Sequence, residues 1–210
     1  MRLRRVIIAA ALALASLPAQ ASDENDVRWE PLRAPEQRVR WEAEGLTAAP
    51  QLAESFSSPL GYRLERYLWK AQKPAGSFAL AVLRDLSGED HYLSGPVDLI
   101  RFATTVLNGL EAPKPRATQT ADEKLATPNG PVLSRRFDLG TRQCVSLGFY
   151  AQPQTAEGAS GLQAKAAKDE PLTEGSQRLD GVYCATAGRP LTPEQVLAYA
   201  AGVKLMQRKD

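Results

Sequence analysis

One histidine, two cysteines and an arginine pair are the residues of this 210-residue chain whose types and spacing bear most directly on chemistry. His91 stands in "GEDHYLSG" beside Glu89, Asp90 and Ser94. A serine activated by His91 and steadied by a carboxylate would make a small hydrolase. No G-x-S-x-G elbow accompanies the histidine, and its setting is a turn ahead of a helix, so it reads as an exposed loop residue. Glu89 and Asp90 could divide acid and base work as paired glycosidase carboxylates do, yet adjacent loop acids are ordinarily solvated. The chain lacks G-x-x-x-x-G-K-[ST], G-x-G-x-x-G and H-E-x-x-H, and with them the usual signs of nucleotide, dinucleotide and zinc-protease chemistry. A metal site would need more Cys, His or clustered carboxylates than are present. The sequence therefore supplies no catalytic residue, no metal ligand set and no cofactor.

Binding residues are easier to nominate. Arg135 and Arg136 are neighbours on one strand and must face opposite sides, so whichever points outward can clamp an anion; the competing reading is one solvated and one ion-paired arginine. Trp29, Trp41, Tyr62, Tyr67 and Trp69 crowd the N-terminal third, and Trp and Tyr join a wide apolar face to a polar handle. Some of them must fill the core. Core packing is the first expectation for these aromatics; if the region is a recognition surface instead, at least one of Trp29 and Trp41, which lie in proline-bounded segments outside the predicted sheet-and-helix core, should be exposed. The candidate partner-binding residues are thus Trp29, Trp41, Arg135 and Arg136.

What Cys144 and Cys184 do depends on where the chain goes. "MRLRRVIIAAALALASLPAQAS" has a basic start at Arg2, Arg4 and Arg5, an apolar run from Val6 to Leu17, and the small-x-small triplet Ala19-Gln20-Ala21. That is the pattern of a secretory signal peptide, residues 1–21, cleaved before Ser22. The apolar run is shorter than the roughly 20 residues a spanning helix needs, and no later stretch could span a bilayer. Cleavage removes three arginines from a chain of net charge +2 and leaves a near-neutral protein. Nucleic-acid binding, which needs a basic surface, is not expected. In an oxidising compartment two cysteines should pair. A bridge closing about 40 residues contributes roughly 4 kcal/mol in the chain-entropy model.

The elements that must position these residues follow from periodicity and turn chemistry. Residues 22–59 read as an irregular N-terminal segment, broken by Pro31, Pro35, Pro50 and Pro59, with "RVRWEAEG" its one clear strand. "GYRLERYLWKAQ" and "SFALAVLRDLSG" flank Lys73-Pro74-Ala75-Gly76 as a hairpin. From Pro96, Leu99, Ala103, Val106 and Leu110 follow helical spacing up to Asn108-Gly109. "VLSRRFDL" and "RQCVSLGFYA" flank Gly140-Thr141, a two-residue hairpin turn led by glycine. In the second of these strands Val145, Leu147 and Phe149 take one face, and Cys144, Ser146, Gly148 and Tyr150 the other. "RLDGVYCAT" is a closing strand, and Thr192-Pro193-Glu194-Gln195 is a capping box opening a last helix that Gly202 ends. Residues 111–130 and 152–177 read as mobile surface loops.

The order ββαβββα predicts an α+β fold, an antiparallel sheet of about five strands packed against two helices and stapled by one disulfide, forming a single domain over 60–210. The function expected is that of a periplasmic or secreted, non-catalytic accessory or binding protein of the bacterial cell envelope. Its partner would be an envelope protein or a small ligand. The alternatives are a small periplasmic hydrolase using a serine with His91, and a carrier holding a small ligand in an apolar cleft between sheet and helices.

Overall fold

The computed structural model describes residues 28–43, 46–58, 62–70, 76–86, 93–94, 98–108, 114–128, 130–151 and 174–206. Residues 1–21, expected to be a signal peptide, the Glu89–His91 stretch and residues 152–173 lie outside them. The expected hairpins both form. Strand β4 (Arg63–Lys70) pairs antiparallel with β5 (Phe78–Asp85) in the register Arg63↔Asp85. Strand β9 (Gly130–Leu139) pairs with β10 (Arg142–Ala151) across Gly140, whose φ of 61° is the left-handed value a two-residue turn requires of its first residue.

Around these hairpins the fold is mostly antiparallel β, which corrects the expected α+β sheet of about five strands. Nine strands form one sheet. The additions include β1 (Glu30–Pro31) and β3 (Leu52–Ser57) from the segment expected to be irregular, and β7 (Arg116–Ala117) and β8 (Glu123–Thr127) from the expected loop 111–130. With β12 (Gln177–Cys184) the order is β1-β3-β4-β5-β12-β10-β9-β7, and β8 also pairs with β9. Strand β3 is built from Leu, Ala, Glu, Ser and Phe, a poor β composition; six residues of β4 hold it by register from Leu52↔Leu68 to Ser57↔Arg63. Strand β8 has a single buried apolar residue, Leu125, and forms because β9 supplies a partner at Gly130–Ser134. Two minor pairs complete the architecture: β6 (Leu93–Ser94) with β11 (Glu174–Gly175), and β2 (Val39–Trp41) with β13 (Val203–Leu205). Gln177, the end of the expected loop 152–177, already belongs to β12.

Two helices cover opposite faces of the sheet. In α1 (Leu99–Leu107) Asp98 caps the start, accepting from Arg101 N at 2.9 Å, and Leu99, Phe102, Ala103 and Leu107 form the buried stripe. Phe102, Ala103 and Leu107 pack on Leu80, Phe137, Val182 and the two cysteines. Val106 is only half-buried, and Leu110 lies outside the described residues. In α2 (Pro193–Gly202) Thr192 and Gln195 close the predicted capping box. Val196, Tyr199 and Ala200 join Trp41, Tyr67, Trp69 and Leu179 on the other face. Gly202 sits where α2 meets β2, and a Cβ there would lie 2.0 Å from the Glu42 carbonyl oxygen. Lack of room, rather than a left-handed cap, requires glycine.

Cys144 and Cys184 occupy directly opposed positions on β10 and β12, with Cα atoms 4.1 Å apart, and are joined by a disulfide.

Candidate functional site

Register determines what the α1-side face of the sheet presents. Crossing β3, β4, β5 and β12, one row reads Phe56, Leu64, Arg84, Arg178, and the next Glu54, Arg66, Val82, Asp180. Leu52, Leu68, Leu80 and Val182 form the third row, and the disulfide closes the face beyond it. Helix α1 turns its buried stripe toward β9, β10 and β12, and among the described residues no helix covers the β3–β5 half of the face. The corner between helix and sheet is a groove of about 590 Å³, within the usual range for small-molecule sites. Leu52, Leu64, Leu80, Val82, Phe102 and Val106 supply its apolar lining, and Arg66, Arg84, Arg101 and Arg178 its cationic groups.

The charges in the groove are unevenly satisfied. Arg66 pairs with Glu54, Nη2 to Oε2 at 2.6 Å, and its guanidinium lies 4.1 Å from the centre of the Trp29 ring. Arg178 donates from Nε to Asp180 Oδ1 at 3.1 Å and lies 2.9 Å from Oδ2. A single N–H serves one oxygen well, so Asp180 Oδ2 has an ion pair but no hydrogen bond among the described residues. Asp180 is fully buried, and loss of hydration raises its pKa although Arg178 and Arg84 pull it down. Arg84 Nη2 is 3.9 Å from the same oxygen and its side chain is 39% exposed. Arg101, on the exposed side of α1, has no ion-pair partner among the described residues.

The sequence-derived candidates separate. Trp29 is half-buried and lines the groove, its ring centre 6.1 Å from that of Phe56. Trp41, expected outside the core, is 2% exposed within it: its ring meets Trp69 edge-on at 5.9 Å and its Nε1 donates to the Tyr199 carbonyl at 3.1 Å. It has no free face for a partner. Arg135 and Arg136 do face opposite sides of β9, and neither reaches the groove. Arg135 Nε pairs with Asp122 at 2.6 Å, and Arg136 Nη1 donates to the Leu191 carbonyl at 3.3 Å. Glu89, Asp90 and His91 lie outside the described residues, and of Ser94 only the strand pairing is described. Among the described residues no three potential metal ligands cluster.

No protein-family model, curated protein or solved structure matches this chain. The site is therefore argued from its own chemistry. Two described lining residues carry hydroxyls: Thr105 donates back to the Arg101 carbonyl at 2.9 Å within the helix, and Tyr67 donates to Glu65 at 2.5 Å.

The described residues hold two other features, a second concavity and a buried polar cluster. A concavity of about 620 Å³ is lined by residues between 34 and 50 alone, one stretch of chain passing itself, without convergent charged groups from separate elements. A buried polar cluster on the α2 side joins Arg38, Asp85, Gln177, Glu65 and Tyr67. Arg38 is ion-paired with Asp85, and Gln177 Nε2 donates to Asp85 at 3.4 Å. The Tyr67 hydroxyl donates to Glu65 at 2.5 Å and accepts from Arg38 N at 2.9 Å. Burial and the neighbouring Glu65 push the Tyr67 phenol well above its ordinary pKa. These groups satisfy one another and clasp β2 to the sheet.

Sequence reasoning passed over Arg66, Arg84, Arg178 and Asp180. Part of their signal was present: Arg66 lies between the same-face residues Leu64 and Leu68 in "RLERYLWK", and Arg84 follows Phe78, Leu80 and Val82 on one face of "FALAVLRD".

Proposed function

We propose that the protein is a non-catalytic binding protein of the bacterial cell envelope that holds a small molecule with an apolar body in the groove between α1 and strands β3–β5. The observation that carries this reading is the half-uncovered sheet face, where an apolar floor and four arginines converge on one volume of about 590 Å³. Export is supported by the leader pattern of residues 1–21 and fits the Cys144–Cys184 bridge, which persists in oxidising compartments.

Native mass spectrometry of freshly purified protein, followed by titration with 1-dodecanol read through Trp29 emission, tests binding. Binding that Val82→Trp and Leu64→Trp both abolish, with melting temperature retained in at least one, supports the groove. Binding unaffected by either substitution, or none at all, refutes it. For export, the intact mass of the periplasmic protein should correspond to a chain beginning at Ser22, and a mass retaining Val6–Leu17 would exclude cleavage and release.

A further inference from the structure

Resting on the reading of the groove as a small-molecule site, we infer that its ligand is an amphiphile with one acidic headgroup, received by Arg84 and Arg101, with its apolar tail lying toward Leu52 and Leu80. Three observations converge on this. First, the groove is polarised along the strands. The row at one end carries Arg84 and Arg178 beside Phe56 and Leu64, the middle row carries Arg66, and the row at the other end, Leu52, Leu68, Leu80 and Val182, is wholly apolar and lies against the disulfide. A molecule that fits both ends must itself be polar at one end only.

Second, two of the described cations have no close carboxylate of their own. Glu54 and the Trp29 ring answer Arg66, and Asp180 answers Arg178. Arg84 reaches only the carboxylate that Arg178 already holds, at 3.9 Å. Asp98, the one acid among the described lining residues, caps α1 by accepting the Arg101 backbone N–H and keeps its negative charge, so with Glu54 and Asp180 three carboxylates stand against the four arginines. The excess is one positive charge, and the guanidiniums without a close carboxylate are those of Arg84 on the sheet wall and Arg101 on the helix wall, so an anion between the walls would meet both. Third, guanidinium groups recognise planar or tetrahedral oxyanions through paired N–H donors, and a partly desolvated groove strengthens that contact. A carboxylate and a phosphate share this chemistry.

Dodecanoate, dodecyl phosphate, 1-dodecanol and dodecyltrimethylammonium, each at micromolar concentration, separate the possibilities. The expected result is that one or both anions bind at least about tenfold more tightly than dodecanol, and the ammonium not measurably. The stronger of the two anions identifies the headgroup. Arg84→Gln and Arg101→Gln should each weaken anion binding about tenfold while leaving dodecanol affinity and melting temperature unchanged. Equal binding of anion, alcohol and ammonium, or indifference to both substitutions, overturns the acidic-headgroup inference and leaves the groove reading intact. Failure of every probe, or a dimer whose formation Val82→Trp abolishes, overturns both, because the groove is then closed or filled by a second copy.

Discussion

At Asp180 burial and charge oppose each other, and burial prevails. Its carboxyl lies on a sheet face under α1, with Arg178 and Arg84 as cations, and its pKa is raised above the ordinary 3.8. Between the ordinary and the raised value the folded protein keeps a proton that the unfolded chain releases, so the stability this group confers is complete below the ordinary value and declines as pH rises through the raised one. Asp180→Asn mimics the protonated form at every pH. Urea melts from pH 3.5 to 7 should therefore show the wild type losing stability relative to Asp180→Asn as pH increases; a constant difference would show that the carboxyl is unperturbed. Little of this was legible beforehand. "RLDGVYC" places a lone acid within an apolar strand, but whether the acid meets solvent or arginines depends on strands about a hundred residues earlier. The tryptophans show the same limit. Trp29 and Trp41 sit in similar proline-bounded contexts, yet one lines a groove and the other fills the core, because only β2 is drawn in by a partner from the distal end of the chain.

Elements whose contacts are local were legible. Turn glycine, alternating strands and capping box each act within a few residues, so the β4–β5 and β9–β10 hairpins and α2 follow from adjacent sequence. Strands β3, β7 and β8 were not, since their own residues favour strand weakly and a neighbour's hydrogen-bonding edge recruits them. The disulfide joins two elements through opposed residues of adjacent strands. Cys144→Ala and Cys184→Ala should each lower stability, by up to about 4 kcal/mol. The double variant should fall no further than either single one, since all three lack the same bridge; additive losses would contradict the pairing. Where α2 meets β2, Gly202→Ala forces a methyl group against a backbone carbonyl that accommodates none. We expect a loss of more than about 3 kcal/mol in chemical denaturation, or failure to fold. A substitution tolerated within 1 kcal/mol would mean that the junction is looser than its geometry.

Among the described residues one nine-stranded sheet carries a core on each face, and neither core is complete without it. Sequence order could not reveal this: β5 pairs with β12 across the intervening helix and the β9–β10 hairpin, and nothing near either strand specifies the other. The two faces should unfold together. Asp85→Ala strips the buried Arg38 of its partner and should cost about 3–5 kcal/mol, with fluorescence of the buried tryptophans and far-ultraviolet dichroism shifting to the same new midpoint. Separate midpoints would reveal two cooperative units.

The pairing of Val39–Trp41 with Val203–Leu205 also fixes a sequence of events in time. A chain emerging N-terminus first presents Trp41 to water, and its indole partner Tyr199 follows 158 positions later. Hairpins such as β4–β5 can form while the chain is still growing, but the seam that covers Trp41 closes only after residue 205 is present. Such long-range closure is slow, on the order of milliseconds to seconds. Throughout that interval the nascent protein carries an uncovered aromatic ring, a handle for chaperones and a hazard for aggregation that the finished molecule conceals.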